Sequence, residues 1–161
     1  MTFRFQRLEI PEIILIEGQN LRDARGFFRE TYKQSEFAAN GIPFTFVQDN
    51  HSHSVRGVIR GLHYQKNPRA QGKLVIVSTG EIFDVAVDIR KDSPTYGKWV
   101  GTELTEDNHL LFYIPEGCAH GFQTLTDNAE TFYPLSYPYV KEAELGVRYD
   151  DPTINVQWPL P

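Results

Sequence analysis

A chain of 161 residues that is 40% apolar and 23% charged has the apolar content for one packed core, which excludes a disordered or fibrous protein. Its formal charge of -5 argues against a nucleic-acid-binding surface, and its one cysteine, Cys118, excludes an internal disulfide framework and any cysteine-cluster metal site. No apolar run reaches membrane-spanning length and none near the N-terminus forms a leader-like core, so a cytoplasmic protein without membrane or nucleic-acid partners is expected.

In chain order, short apolar segments alternate with Gly, Pro, Asn and Asp at the spacing of an all-β protein, and no repeat or linker divides residues 1–161, which read as one domain. The one helix signal, Lys33 to Gly41, is short and ends at glycine. Strands are expected at Phe44–Gln48, Val58–Gln65, Lys73–Val77, Glu81–Ile89, Trp99–Leu104, Leu110–Ile114, Gly121–Leu125 and Glu130–Leu135. Ser78-Thr79-Gly80 reads as a hairpin turn, and residues 91–97 as a longer connection. Along Glu81–Ile89, alternation sets Phe83, Val85, Val87 and Ile89 against Ile82, Asp84, Ala86 and Asp88. The carboxylate face belongs either to solvent or to the inside of a ligand-holding barrel, and the sequence leaves that choice open. Arg60 and His63 have opposite parity, so both face one cavity only if a bulge intervenes, for which Gly61 is the natural place.

The stretch Arg60-Gly61-Leu62-His63-Tyr64-Gln65 concentrates a cation, an imidazole and hydrogen-bonding groups, and reads as a site more than a core. With Gln48-Asp49-Asn50-His51-Ser52, Gly72-Lys73-Leu74-Val75, residues 83–90, Ser93-Pro94-Thr95-Tyr96-Gly97 and the run from Pro115 to Phe122, it closely resembles the dTDP-4-dehydrorhamnose 3,5-epimerase family. The resemblance runs from Asp23-x-Arg25-Gly26-Phe27-Phe28 to Trp158-Pro159. It implies a cupin-type jelly-roll barrel with short N-terminal strands and little helix. It further implies a homodimer without metal or other cofactor, acting on a nucleotide-linked 4-keto-6-deoxyhexose at C3 and C5.

By that resemblance His63 would remove the proton beside the ketone, Tyr133 would return one from the opposite face, and Lys73 would stabilise the enolate oxygen. Asn50, Arg60 and His120 would surround the sugar and diphosphate, Tyr139 would lie near the sugar or nucleotide, Gln48 would also bind substrate, and Arg25 and Glu30 would reach the nucleotide of the partner subunit. The chemistry requires such groups in any case: a proton next to a ketone is removable near neutral pH only if pre-placed donors meet the enolate charge. The family's tail segment Ser-x-x-Asp, whose aspartate pairs with the histidine, has no match here, so Asp84 or Asp88 is expected to orient His63. His51 and His53 with His120 could form the three-histidine metal site of other cupins, but no glutamate follows at the spacing those cupins use, and no metal is expected. Alternative readings are an epimerase of one carbon in another nucleotide sugar and a non-catalytic nucleotide-sugar-binding cupin.

Overall fold

The computed structural model describes residues 2–161. The first sheet takes the order β1-β2-β10-β7-β12-β5, from Phe3–Arg7, Ile14–Gly18, Leu110–Ile114, Lys73–Thr79, Asn128–Phe132 and His51–Val55. The second takes the order β13-β6-β11-β8-β9, from Glu144–Gly146, Ile59–Gln65, Cys118–Thr124, Glu81–Asp88 and Trp99–Thr105. All pairings are antiparallel, as in a jelly roll. A separate hairpin joins β3 (Asn20–Asp23) to β4 (Gly26–Arg29), and α1 (Gln34–Ala39) is the one α-helix among the described residues.

Side-chain parity sorts each strand between two environments, because both sheets are covered on both faces. Between the sheets lie Val75, Val77, Ile82, Ala86, Phe112, Ile114, Phe122 and Ala129. The outer face of the first sheet packs Ile14, Ile16, Leu74, Leu111 and Tyr113 against Phe37 of α1. That of the second packs Leu62, Val85, Val87 and Ala119 under Val147, Ile154, Val156 and Trp158. The C-terminal segment therefore buries the face of β8 opposite its carboxylates, which turns Ile82, Asp84, Ala86 and Asp88 inward.

Two sequence expectations need correction. Phe44–Gln48 forms no strand and contributes only an isolated bridge from Gln48 to Leu135, with Phe44 and Phe46 packing on the α1 side. Ser78-Thr79-Gly80 is no hairpin, because β7 and β8 belong to different sheets. Gly80 turns this corner with φ +76, and a Cβ there would meet Asn128 O at 2.2 Å. Two strands as rich in apolar residues as β7 and β8 would fit either a hairpin or a crossover, and sequence alone carries no signal for the choice.

Candidate active site

A cavity of about 630 Å³ opens between the sheets at one end of the roll. Its residues follow from the core pattern. Lys73 shares parity with core residues Val75 and Val77, His120 with Cys118 and Phe122, and Tyr133 with Ala129 and Thr131, so each continues an inward face beyond the apolar packing. On β6, His120 pairs with His63 but Phe122 pairs with Arg60, so one extra residue is accommodated on β6 between them. Gly61 lies in this bulge with φ +141, and a Cβ on it would meet Gly121 Cα at 2.5 Å and His120 O at 2.9 Å. The irregularity brings Arg60 and His63 to one cavity despite their opposite parity.

The walls differ in chemistry. From the second sheet come Arg60, His63 and His120; from the first, or its continuation, come Asn50, Lys73 and Tyr133. A ligand lying between the sheets would meet His63 on one side and Tyr133 on the other. His63 is accessible from the cavity, and its pKa is pushed down by desolvation and then by the Lys73 charge, against an upward pull from Glu144. Lys73 is buried, and that burial lowers its pKa to about 8. Asp84 and Glu144 oppose that shift. Arg60 is braced from behind, its Nε donating to Ser54 Oγ at 2.8 Å and one terminal nitrogen to the His53 carbonyl at 3.1 Å.

Asp84 pairs with His120, not His63: His120 Nε2 lies 2.6 Å from Asp84 Oδ1, with both side chains buried. Burial pushes the Asp84 pKa up against the stabilising charges of His120 and Lys73. The strand order explains the mismatch with expectation, since β11 lies between β6 and β8 and presents His120 first. Asp88 is also no orienter. It accepts hydrogen bonds from Arg90, Ser93 and Thr95, which outweigh burial and hold its carboxyl well below the usual range. Among the described residues His63 itself makes no side-chain hydrogen bond.

Gln48 and Tyr139 also line the cavity, Gln48 Nε2 donating to Asn50 Oδ1 at 3.0 Å. Arg25 and Glu30 do not. Arg25 is an exposed residue at the β3–β4 turn, paired with Asp23 at 2.6 Å, and Glu30 follows β4. His51 and His53 both contact Glu130 at the sheet edge, at 3.0 and 3.6 Å, away from His120. Among the described residues no three His, Cys, Asp or Glu side chains gather as a metal site. Sequence reasoning missed Glu144, whose Oε2 accepts a hydrogen bond from Tyr139 at 2.7 Å at the cavity wall. Its position depends on the three-residue strand β13 pairing Glu144 with Gln65, a long-range register with no local signal.

A jelly roll holding a desolvated imidazole, a buried lysine and a tyrosine around one cavity defines a scaffold for removing and returning protons beside a carbonyl, the work of an isomerase. The comparisons narrow this class. Residues 7–161 match the family model described as dTDP-4-dehydrorhamnose 3,5-epimerase, and the chain belongs to that family. It is 52% identical over 155 residues to the dTDP-4-dehydrorhamnose 3,5-epimerase of Shigella flexneri, covering 96% of this chain and 86% of the relative. It is 40% identical over 157 residues to a dTDP-4-dehydrorhamnose 3-epimerase of Streptomyces niveus, covering 97% and 76%. The crystal structure of dTDP-6-deoxy-D-glucose-3,5-epimerase from Legionella pneumophila, in complex with dTDP-4-keto-L-rhamnose, superposes with a TM-score of 0.96 at 45% identity, covering 99% of this chain and 85% of that one.

Proposed function

We propose that this chain epimerises a dTDP-linked 4-keto-6-deoxyhexose at C3 and C5, in the cytoplasm and as a homodimer. The observation that carries the reading is the two-walled cavity. His63 stands on the second sheet, with Tyr133 and Lys73 on the first. In each half-reaction His63 takes the proton from the carbon beside the C4 ketone, and the bonding pair moves into the enolate. Lys73 donates to the enolate oxygen, an interaction of about 3 kcal/mol at the transition state for a well-placed donor. Tyr133 then delivers a proton to the other face, which inverts the carbon, and solvent resets both groups. His63 suits the base role because partial desolvation and the Lys73 charge lower its pKa, which favours the neutral imidazole. Arg60, with a guanidinium geometry matched to phosphate, is assigned to the diphosphate, and His120 and Asn50 to the sugar.

The homodimer is supported by the β3–β4 hairpin, which exposes Leu21, Phe27 and Phe28 beside Arg25. Such an apolar arm fits burial against a second copy, and would bring Arg25 and Glu30 to the nucleotide of the partner subunit. The test of function is incubation with dTDP-4-keto-6-deoxyglucose in deuterated water, followed by NMR at C3 and C5. Deuterium at both carbons is the expected result, and no incorporation would refute the reading. A second reading, inversion of C3 alone, is favoured by the likeness to the Streptomyces 3-epimerase. It would appear as deuterium at C3 only.

A further inference from the structure

Tyr139 lines the cavity from the segment 137–140, most of whose backbone hydrogen bonds run to glutamine side chains. Gln71 Nε2 donates to Tyr137 O at 2.8 Å. Gln65 Nε2 donates to Pro138 O at 3.3 Å and to Arg69 O at 2.7 Å, while Gln65 Oε1 accepts from Val140 N at 2.8 Å. Gln48 Oε1 accepts from Tyr139 N at 2.9 Å. The three glutamines come from separate parts of the chain: β6, the segment before β7, and the bridge to Leu135. A carboxamide carries the same donor and acceptor pair as a peptide group, so these side chains supply a ladder where no strand stands alongside.

We propose that Gln65 and Gln71, together with Gln48, are positioning residues that hold the 137–140 strap so that Tyr139 closes over the bound nucleotide sugar. This rests on the function proposed above. Gln65 is buried, with both its nitrogen hydrogens donated to backbone carbonyls and its oxygen accepting from the Val140 amide, so its carboxamide is committed to the strap and its surroundings. It acts on substrate only through the strap. Tyr139 is 48% exposed and reaches Glu144 with its hydroxyl, so its place depends on the backbone that the glutamines fix. Held in advance, the strap loses little freedom when substrate binds; released, it must be ordered at the expense of affinity. The glutamines therefore set binding, and the proton transfers proceed without them.

The test replaces Gln65 and Gln71 singly by methionine, which keeps length and volume but removes the amide. In Gln65→Met the Val140 amide should exchange with solvent at least about tenfold faster than in the parent, with β8 amides unchanged. KM for dTDP-4-keto-6-deoxyglucose should rise about tenfold, with kcat and its pH profile retained. In a Tyr139→Ala background the KM effect of the methionine should vanish, because the clamp works through that side chain. The proposal is overturned if the KM effect persists undiminished in that background, if kcat falls at constant KM, or if KM is unchanged while the Val140 amide opens. Should Gln65→Met not fold, Gln71→Met carries the same cycle with its single bond to Tyr137. If the parent does not turn over this sugar the functional reading fails instead, and the dissociation constant of dTDP measured by calorimetry replaces KM in the cycle.

Discussion

Lys73 is a buried cation whose neighbours only partly offset its desolvation, and this determines both a stability and an activity profile. Its pKa of about 8 in the folded protein lies below the ordinary 10.5, so between these values the unfolded chain holds the proton and the folded chain does not. Stability from this group therefore rises with pH across that window, and below it the folded state bears a constant penalty of up to about 3 kcal/mol. Lys73→Met is expected to raise the unfolding free energy at pH 7 by about 2 kcal/mol in urea titrations while abolishing exchange of the substrate protons. In the proposed mechanism the same group is expected to set the alkaline limb of activity. With His63 required neutral and Lys73 charged, kcat/KM should rise with pH through a value below the ordinary histidine pKa and fall through about 8. Lys73→Arg, charged at all accessible pH, should remove the alkaline limb from whatever activity it retains. A limb that stays near pH 8 would assign it to another group.

The β6 bulge joins strand geometry to chemistry. Gly61→Ala places a Cβ against the Gly121 and His120 backbone of β11 and forces an alanine to φ +141. The expected loss is about 3 kcal/mol of stability, read by thermal unfolding, with a fall in kcat/KM of at least about a hundredfold as Arg60 and His63 lose their common orientation. Much at this scale was legible in sequence. The strands β6 to β12 each overlap a segment where a strand was expected, and opposite parity of two polar residues on one strand was enough to place the bulge at a glycine. The short strands were not legible: β5 reads His51-Ser52-His53-Ser54-Val55, and β13 has three residues, so both exist because a neighbouring strand offers a partner. For the same reason Glu144 could not be found in advance, and Asp84 was found with the wrong histidine, since strand order within a sheet is a property of topology.

At the scale of the whole molecule, the fold keeps polar chemistry at one end of an apolar roll and leaves an apolar arm outside it. Phe27 and Phe28 are 52% and 63% exposed on the β3–β4 hairpin, with the Arg22 and Arg29 guanidiniums over the Phe27 ring. The chain of 18.5 kDa should sediment at twice that mass, and Phe28→Asp should shift it toward the monomer and raise KM, because in the proposed dimer Arg25 and Glu30 would leave the partner's site. A mutant that sediments as a monomer with unchanged KM would separate the arm from nucleotide binding. The proposed base and acid, His63 and Tyr133, come from the two different sheets, so their opposition is a property of the whole molecule. The measurement that tests it most directly is deuterium incorporation by Tyr133→Phe, with the configuration of the recovered sugar determined by NMR. With His63 still able to remove and return a proton on its own side, C3 and C5 should exchange while keeping their configuration. Inverted sugar accumulating at the parental rate would contradict the two-walled account.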